Sequence, residues 1–272
     1  LMGTEEAYSS LVAYEGDILV NLVIVALILV GGIGFIVWDD VARNKWHFKR
    51  YLLHSKIVLT VTFLLTVIGT VLFLLTENNA AFAGMSPLEK VLGALFSAVT
   101  PRTAGFNSVD TAALSNSGKL ITMVMMFVGG SPGSTAGGVK TTSVIVLLFY
   151  AGAMVLNKED INLFGRRLTD EVVKKANAVV IINATLTIVA TVIIMALQPL
   201  LNFEDVLFEV LSAIGTVGMT VGITRDLDII ARVILIVLMY CGRLGSLSFA
   251  LVFAQKNTSA PMRQPQEKII VG

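Results

Sequence analysis

Phe96-Ser97-Ala98-Val99-Thr100-Pro101-Arg102-Thr103-Ala104-Gly105-Phe106-Asn107-Ser108 and Leu211-Ser212-Ala213-Ile214-Gly215-Thr216-Val217-Gly218-Met219-Thr220 are two passages of one chain that follow the same plan. In each, an apolar run ends in serine, alanine and a branched residue, then passes into Thr103-Ala104-Gly105 or Thr216-Val217-Gly218. The runs leading in, residues 87–99 and 203–214, have helical patterns about half as long as a bilayer crossing requires, the mark of a re-entrant or buried segment. Ser86 followed by Pro87 reads as an N-cap with proline at the first helical position. Long apolar stretches flank both passages. The order of span, short helix, glycine-bearing loop and span therefore occurs twice, over residues 56–156 and 176–254.

The rest of the chain agrees with membrane placement. Of 272 residues, 55% are hydrophobic and only 14% charged, and the mean hydropathy is +0.82. A soluble domain has about a quarter of its residues charged, so this chain cannot build an aqueous surface. A net charge of +1 offers nothing to nucleic acid, and the single cysteine, Cys241, excludes an internal disulfide or a cysteine metal cluster. Stretches of about 20 apolar residues predict spans over 18–37, 56–75, 176–197 and 229–254. A fifth, 120–156, is too long for one span and is interrupted by glycines. Basic residues gather in the loops 39–56 and 157–175 and in the tail, which places these segments and the C-terminus in the cytoplasm. Lys90, Arg102, Lys119, Arg225 and Arg232 fall on the opposite side. Residues 1–17 are acidic, without a basic residue or signal peptide. The expectation is that sequence upstream is missing and that this is the C-terminal part of a longer protein.

Lipid does not tolerate unpaired backbone, so a loop that dips into the bilayer must be enclosed by protein or line a water-filled path. An extended loop there can aim consecutive carbonyl oxygens at a bare cation in place of its hydration shell. Glycine is required where a carbonyl points correctly only at dihedrals other residues resist. Thr216-Val217-Gly218 also matches the opening of the potassium-channel filter. A glycine at a helix-packing contact would explain one such tripeptide; its repetition favours a filter.

With these loops, the run Gly129-Gly130-Ser131-Pro132-Gly133-Ser134-Thr135-Ala136-Gly137-Gly138-Val139-Lys140-Thr141-Thr142 and the segment Gly242-Arg243-Leu244-Gly245 resemble the Trk/Ktr/HKT superfamily of potassium transporters. The nearest type is the Ktr membrane subunit (KtrB type). The resemblance covers nearly the whole chain. It implies an all-α integral membrane protein of repeated M1–pore helix–filter loop–M2 hairpins of the potassium-channel type, four to a pore. Residues 1–38 would carry the last helix of the second unit, 56–156 the third unit with its interrupted M2, and 176–254 the fourth. Residues 39–55 and 157–175 would be cytoplasmic loops, and 255–272 a cytoplasmic tail. The carbonyls of Thr103, Ala104, Gly105, Phe106, Thr216, Val217, Gly218 and Met219 would hold potassium, the substrate and the one metal implied. The resemblance implies no cofactor. Two loops cannot close a four-sided filter, so the missing N-terminal half of the same protein must supply the others. The resemblance further implies a homodimer in the cell membrane, gated by a cytosolic nucleotide-binding ring subunit.

Gly129 to Gly138 cannot hold a helix cheaply, glycine costing about 1 kcal/mol and proline about 3 kcal/mol in a helix interior. By resemblance, this stretch (Gly129, Gly130, Ser131, Pro132, Gly133, Ser134, Thr135, Ala136, Gly137, Gly138) is an intramembrane gating loop below the filter; the alternative is a simple kink. Lys140-Thr141 after glycines imitates a phosphate-binding loop, but Val139 intervenes and apolar helix precedes it. Ser131 imitates a hydrolase nucleophile, yet both histidines, His47 and His54, belong to the first cytoplasmic loop, where they are expected to be solvated or interfacial. The chain is therefore not read as an enzyme. Arg243 lies within a span, where a charge costs at least about 2.5 kcal/mol and must face a partner or water. The resemblance puts it at the gate, shielded by loop carbonyls or by hydroxyls of Ser134, Thr135 or Thr141. The alternative is snorkelling to the cytoplasm. Lys140 is grouped with the gate, the alternative being that it simply anchors the lower half-helix. Two other functions stay open: a sodium-coupled secondary transporter with a midplane site, and a non-conducting assembly subunit.

Overall fold

The computed structural model describes residues 10–45, 47–158 and 160–245, and it is helical almost throughout. Its helices are α1 (Ile18–Gly32), α2 (Phe35–Asn44), α3 (Leu53–Glu77), α4 (Pro87–Val99), α5 (Asn116–Phe127), α6 (Thr141–Val155), α7 (Asp170–Leu197), α8 (Phe203–Ile214) and α9 (Ile229–Leu244). A two-residue-per-strand hairpin, β1 (Asn162–Leu163) with β2 (Arg166–Arg167), lies between α6 and α7.

Two modules repeat. In one, α3 packs on the short α4, a loop follows, and α5 returns; in the other, α7, α8, a loop and α9 do the same. Each has its own core. Phe73, Ala94, Ala98 and Met125 meet in the first, and Ala190, Ile194, Val210, Ala213, Ala231 and Leu235 in the second. Lipid is as apolar as a leucine side chain, so helices in a bilayer are held by close packing that small residues permit. The alanines at these contacts serve that purpose. The modules join where Met123 and Met126 of α5 meet Phe208 and Leu211 of α8 and Val217 and Met219 beyond it. Buried threonines in the long helices satisfy themselves: the hydroxyls of Thr187 and Thr191 donate to the carbonyls of Asn183 and Thr187 at 2.9 and 2.8 Å.

The short helix starts as expected. Ser86 Oγ accepts from Glu89 N, and Glu89 returns a carboxylate oxygen to Ser86 N at 2.7 Å, closing a capping box behind Pro87. Other boundaries differ from the sequence reading. The expected span 18–37 is broken: α1 stops at Gly32, and α2 leaves at 95°. Gly34, at φ +89°, makes the corner, and Trp38 Nε1 donates back to Val30 O at 3.0 Å. Hence part of the expected cytoplasmic loop 39–55 is helix, and α7 begins six residues before the expected span. Among the described residues, only α3 and α7 are by themselves long and apolar enough to cross a membrane, with the bent pair α1–α2 as a third. The helix expected over 229–254 is described as far as Leu244 and capped by Gly245 at φ +88°. Its remainder, and the expected tail 255–272, lie outside the described residues.

Candidate functional site

Where α4 and α8 end, the chain turns under control of the helix's own last groups. Ala104 N and Gly105 N both donate to Thr100 O, at 3.1 and 3.3 Å; Val217 N donates to Ser212 O at 2.8 Å. Thr103 then sits at φ +68° and Gly105 at +77°, and Thr216 at +53° and Gly218 at +87°. Ala104 and Val217, between them, are not among the positive-φ residues. Positive φ is a genuine outlier for a β-branched residue and costs of order 1–3 kcal/mol. Here threonine takes it at the matching position of both loops. An ordinary strand points successive carbonyls to opposite sides. Alternating the sign of φ rotates each peptide plane back, so that successive carbonyls can share one side.

Hydroxyls brace both loops from behind. Thr100 Oγ1 donates to Phe106 O, and Ser212 Oγ to Met219 O at 2.6 Å. The carbonyls of Phe106 and Met219, expected to face an ion, are thus each engaged by a helix hydroxyl and keep one lone pair apiece. The two loops touch: a Cβ on Gly105 would lie 2.1 Å from Val217 O, whereas one on Gly218 would meet nothing described within 4 Å.

The interrupted span lies against the second loop. A Cβ on Gly137 would fall 2.2 Å from Thr216 Oγ1, and one on Gly138 3.1 Å from Gly215 Cα. The interruption is a folded loop between α5 and α6 and not a kink. Gly129 N donates to Val139 O at 2.9 Å and Thr141 N to Gly130 O at 3.1 Å, while Ser131 and Thr141 hydroxyls pair at 3.2 Å. Gly133 turns at φ +74° and Gly138 at +66°. The loop is clasped from two sides. On one, Ser131 N donates to Gly32 O and Phe35 N to Gly133 O, each at 3.0 Å, at the α1–α2 corner. On the other, Gly138 N donates to Gly242 O at 3.3 Å, and Arg243 Nη1 donates to Thr135 O. Arg243 therefore reaches a loop carbonyl, one of the partners the sequence allowed. Lys140 Nζ donates to Ala136 O within the same loop.

Several residues were not legible as site elements. Glu209 of α8 is buried and takes hydrogen bonds from the hydroxyls of Thr220 and Thr224, the latter at 2.9 Å, fixing the chain beyond Gly218. A carboxylate within a half-length membrane helix was the available signal. Glu77 is fully buried at the end of α3 and accepts from Ser115 N at 3.0 Å and from Ser115 Oγ, at the start of α5. Arg102, expected on the side of the membrane opposite the cytoplasm, is only 5% exposed, and its Nη2 donates to Thr62 Oγ1 at 3.1 Å. The Pro101-Arg102 insertion that the second loop lacks folds it inward. His54 is half-buried in the first turn of α3, and Cys241 is a buried free thiol.

Half-length helices that deliver paired glycine loops, with a folded loop packed against them, define a helical membrane protein of the re-entrant-loop class. Residues 3–263 match the model of the TrkH family, described as cation transport protein, and the chain belongs to that family. It is 38% identical over 269 residues to the potassium/sodium uptake protein NtpJ of Enterococcus hirae, covering 97% of this chain. It is 36% identical over 265 residues to the Ktr system potassium uptake protein B of Bacillus subtilis, again over 97% of this chain. The chain spans 59% of the length of each of these relatives. The crystal structure of the potassium transporter TrkH from Vibrio parahaemolyticus shares the fold, with a TM-score of 0.72 at 22% identity, over 93% of this chain and 53% of that one.

Proposed function

We propose that the chain forms part of a potassium permeation path, in which the two glycine loops furnish half of a carbonyl filter. The observation that carries this reading is the shared sign pattern of φ, positive at Thr103 and Gly105 and again at Thr216 and Gly218. Carbonyl oxygens lined up on one side replace the water of a bare cation without adding a net charge that would hold it too tightly. The second half of the filter comes from the part of the protein upstream of this chain; the 59% span of the relatives supports that division. Residues 129–140 act as the gate, with Arg243 presenting positive charge to an ion leaving the filter. Their contacts with Gly215 and Thr216 support this role. Membership of the family supports a homodimer in the cell membrane, with a cytosolic nucleotide-binding ring acting on its inner face.

The test is rubidium uptake, with sodium as competitor, by the full-length protein in cells lacking their own potassium uptake. Wild type should carry rubidium and prefer it, and Gly218→Ser should lose the preference. Unchanged flux and preference in the variant would sink the filter reading in favour of an assembly subunit.

A further inference from the structure

Behind the first loop lies a small cavity of about 10 Å³. Its polar lining comes from Ser97 of α4 and its C-cap Thr100, from Asn107, Ser108 and Thr111 beyond the glycine, and from Thr122 of α5; Met219 of the second loop closes one side. Space of this size is room for one water molecule. Ser108 is only 2% exposed, and its Oγ is wholly buried with no hydrogen-bond partner among the described residues. Thr122 Oγ1 donates to Gly118 O at 2.8 Å and Thr100 Oγ1 to Phe106 O. Both donors are therefore in use, while both oxygens keep acceptor capacity. A polar cavity of one-water size beside an unsatisfied buried hydroxyl is the setting in which proteins hold internal water.

We infer that one resident water occupies this cavity, accepts a hydrogen bond from the Ser108 hydroxyl and donates to the lining threonine oxygens. It links the chain just beyond the first loop to α4 and α5. The second loop has a different support at the corresponding place, the Glu209 carboxylate bound directly by Thr220 and Thr224. The two loops are thus braced by different chemistry, one by a bound water and the other by a carboxylate. Existence of the water does not depend on the filter reading; its effect on ion preference rests on that reading.

A structure of the full-length protein at a resolution that resolves waters tests the inference directly. Density within hydrogen-bond distance of Ser108 Oγ, absent from Ser108→Val, is the expected result. A dry cavity with Ser108 Oγ turned onto a protein acceptor overturns it. In rubidium uptake, Ser108→Ala should make sodium about fivefold more effective as a competitor, the effect of one net hydrogen bond, with protein yield unchanged. Water density together with unchanged competition would overturn the bracing role. Gly218→Ser run beside it shows separately whether the filter reading stands.

Discussion

Gly137→Ala tests whether the interrupted span touches the filter. The new methyl carbon would lie 2.2 Å from Thr216 Oγ1, 2.7 Å from Cγ2 and 3.0 Å from Cβ. Gly137 has no positive φ, so its cost is steric alone. Overpacking of this kind costs about 1–3 kcal/mol, which at 1.4 kcal/mol per decade is roughly a five- to 150-fold shift against the intact loop. The crowded residue, Thr216, opens the φ-alternating tripeptide, so the loss should appear as reduced preference for rubidium over sodium. Two controls sharpen the claim. Gly133→Ala meets only the side chain of Ile36, at 3.7 Å, and suffers a dihedral penalty at φ +74°. It should alter flux and leave preference unchanged. Thr216→Ala removes the two nearer atoms and leaves a Cβ pair at the 3.0 Å margin, so the double variant should recover most of what Gly137→Ala lost. The assay is rubidium uptake with graded sodium, read as a double-mutant cycle whose coupling should reach about 0.5–3 kcal/mol. No coupling, or equal effects of Gly133→Ala and Gly137→Ala on preference, would refute the placement of the loop against the filter.

Other outcomes follow from the same contacts. Arg243→Gln removes the positive charge beside Thr135 O and should raise rubidium uptake; lowered uptake with normal expression would argue against a barrier role. Gly34→Ala puts a methyl 2.6 Å from Pro132 O at φ +89°. It should loosen the clasp on the loop and speed hydrogen exchange at Ser131 and Phe35, whose amides close it. Glu209→Ala leaves the Thr220 and Thr224 hydroxyls without their acceptor and should cost about 1–3 kcal/mol of stability, seen as a lower unfolding temperature in detergent; Glu209→Gln should restore most of it.

Composition and apolar run length determined by themselves that this chain belongs in a membrane, because lipid demands long apolar helices whatever they pack against. The repeat of a half-length helix ending in serine, alanine and a branched residue, with a glycine in the loop beyond, placed both loops, and Pro87–Val99 and Phe203–Ile214 formed where local signals put them. Local chemistry is strong there: a serine cap, a proline at the first turn and glycines with no helical alternative. Tertiary structure decided what hydropathy averages away. An 18-residue window over α1 and α2 cannot register a 95° corner made by one glycine whose Cβ would strike Pro132 O. Nor could spacing say that Arg243 meets Thr135 O, 108 residues away in sequence. The counting of basic residues gave Arg102 a side of the membrane and nothing more, whereas its burial depends on how α4 leans on α3. The hydroxyls of Thr100 and Ser212 show the division most plainly. Their residue types were visible from the start, but the carbonyl each one holds depends on the path of a loop that only close contact between α4, α5 and α8 defines.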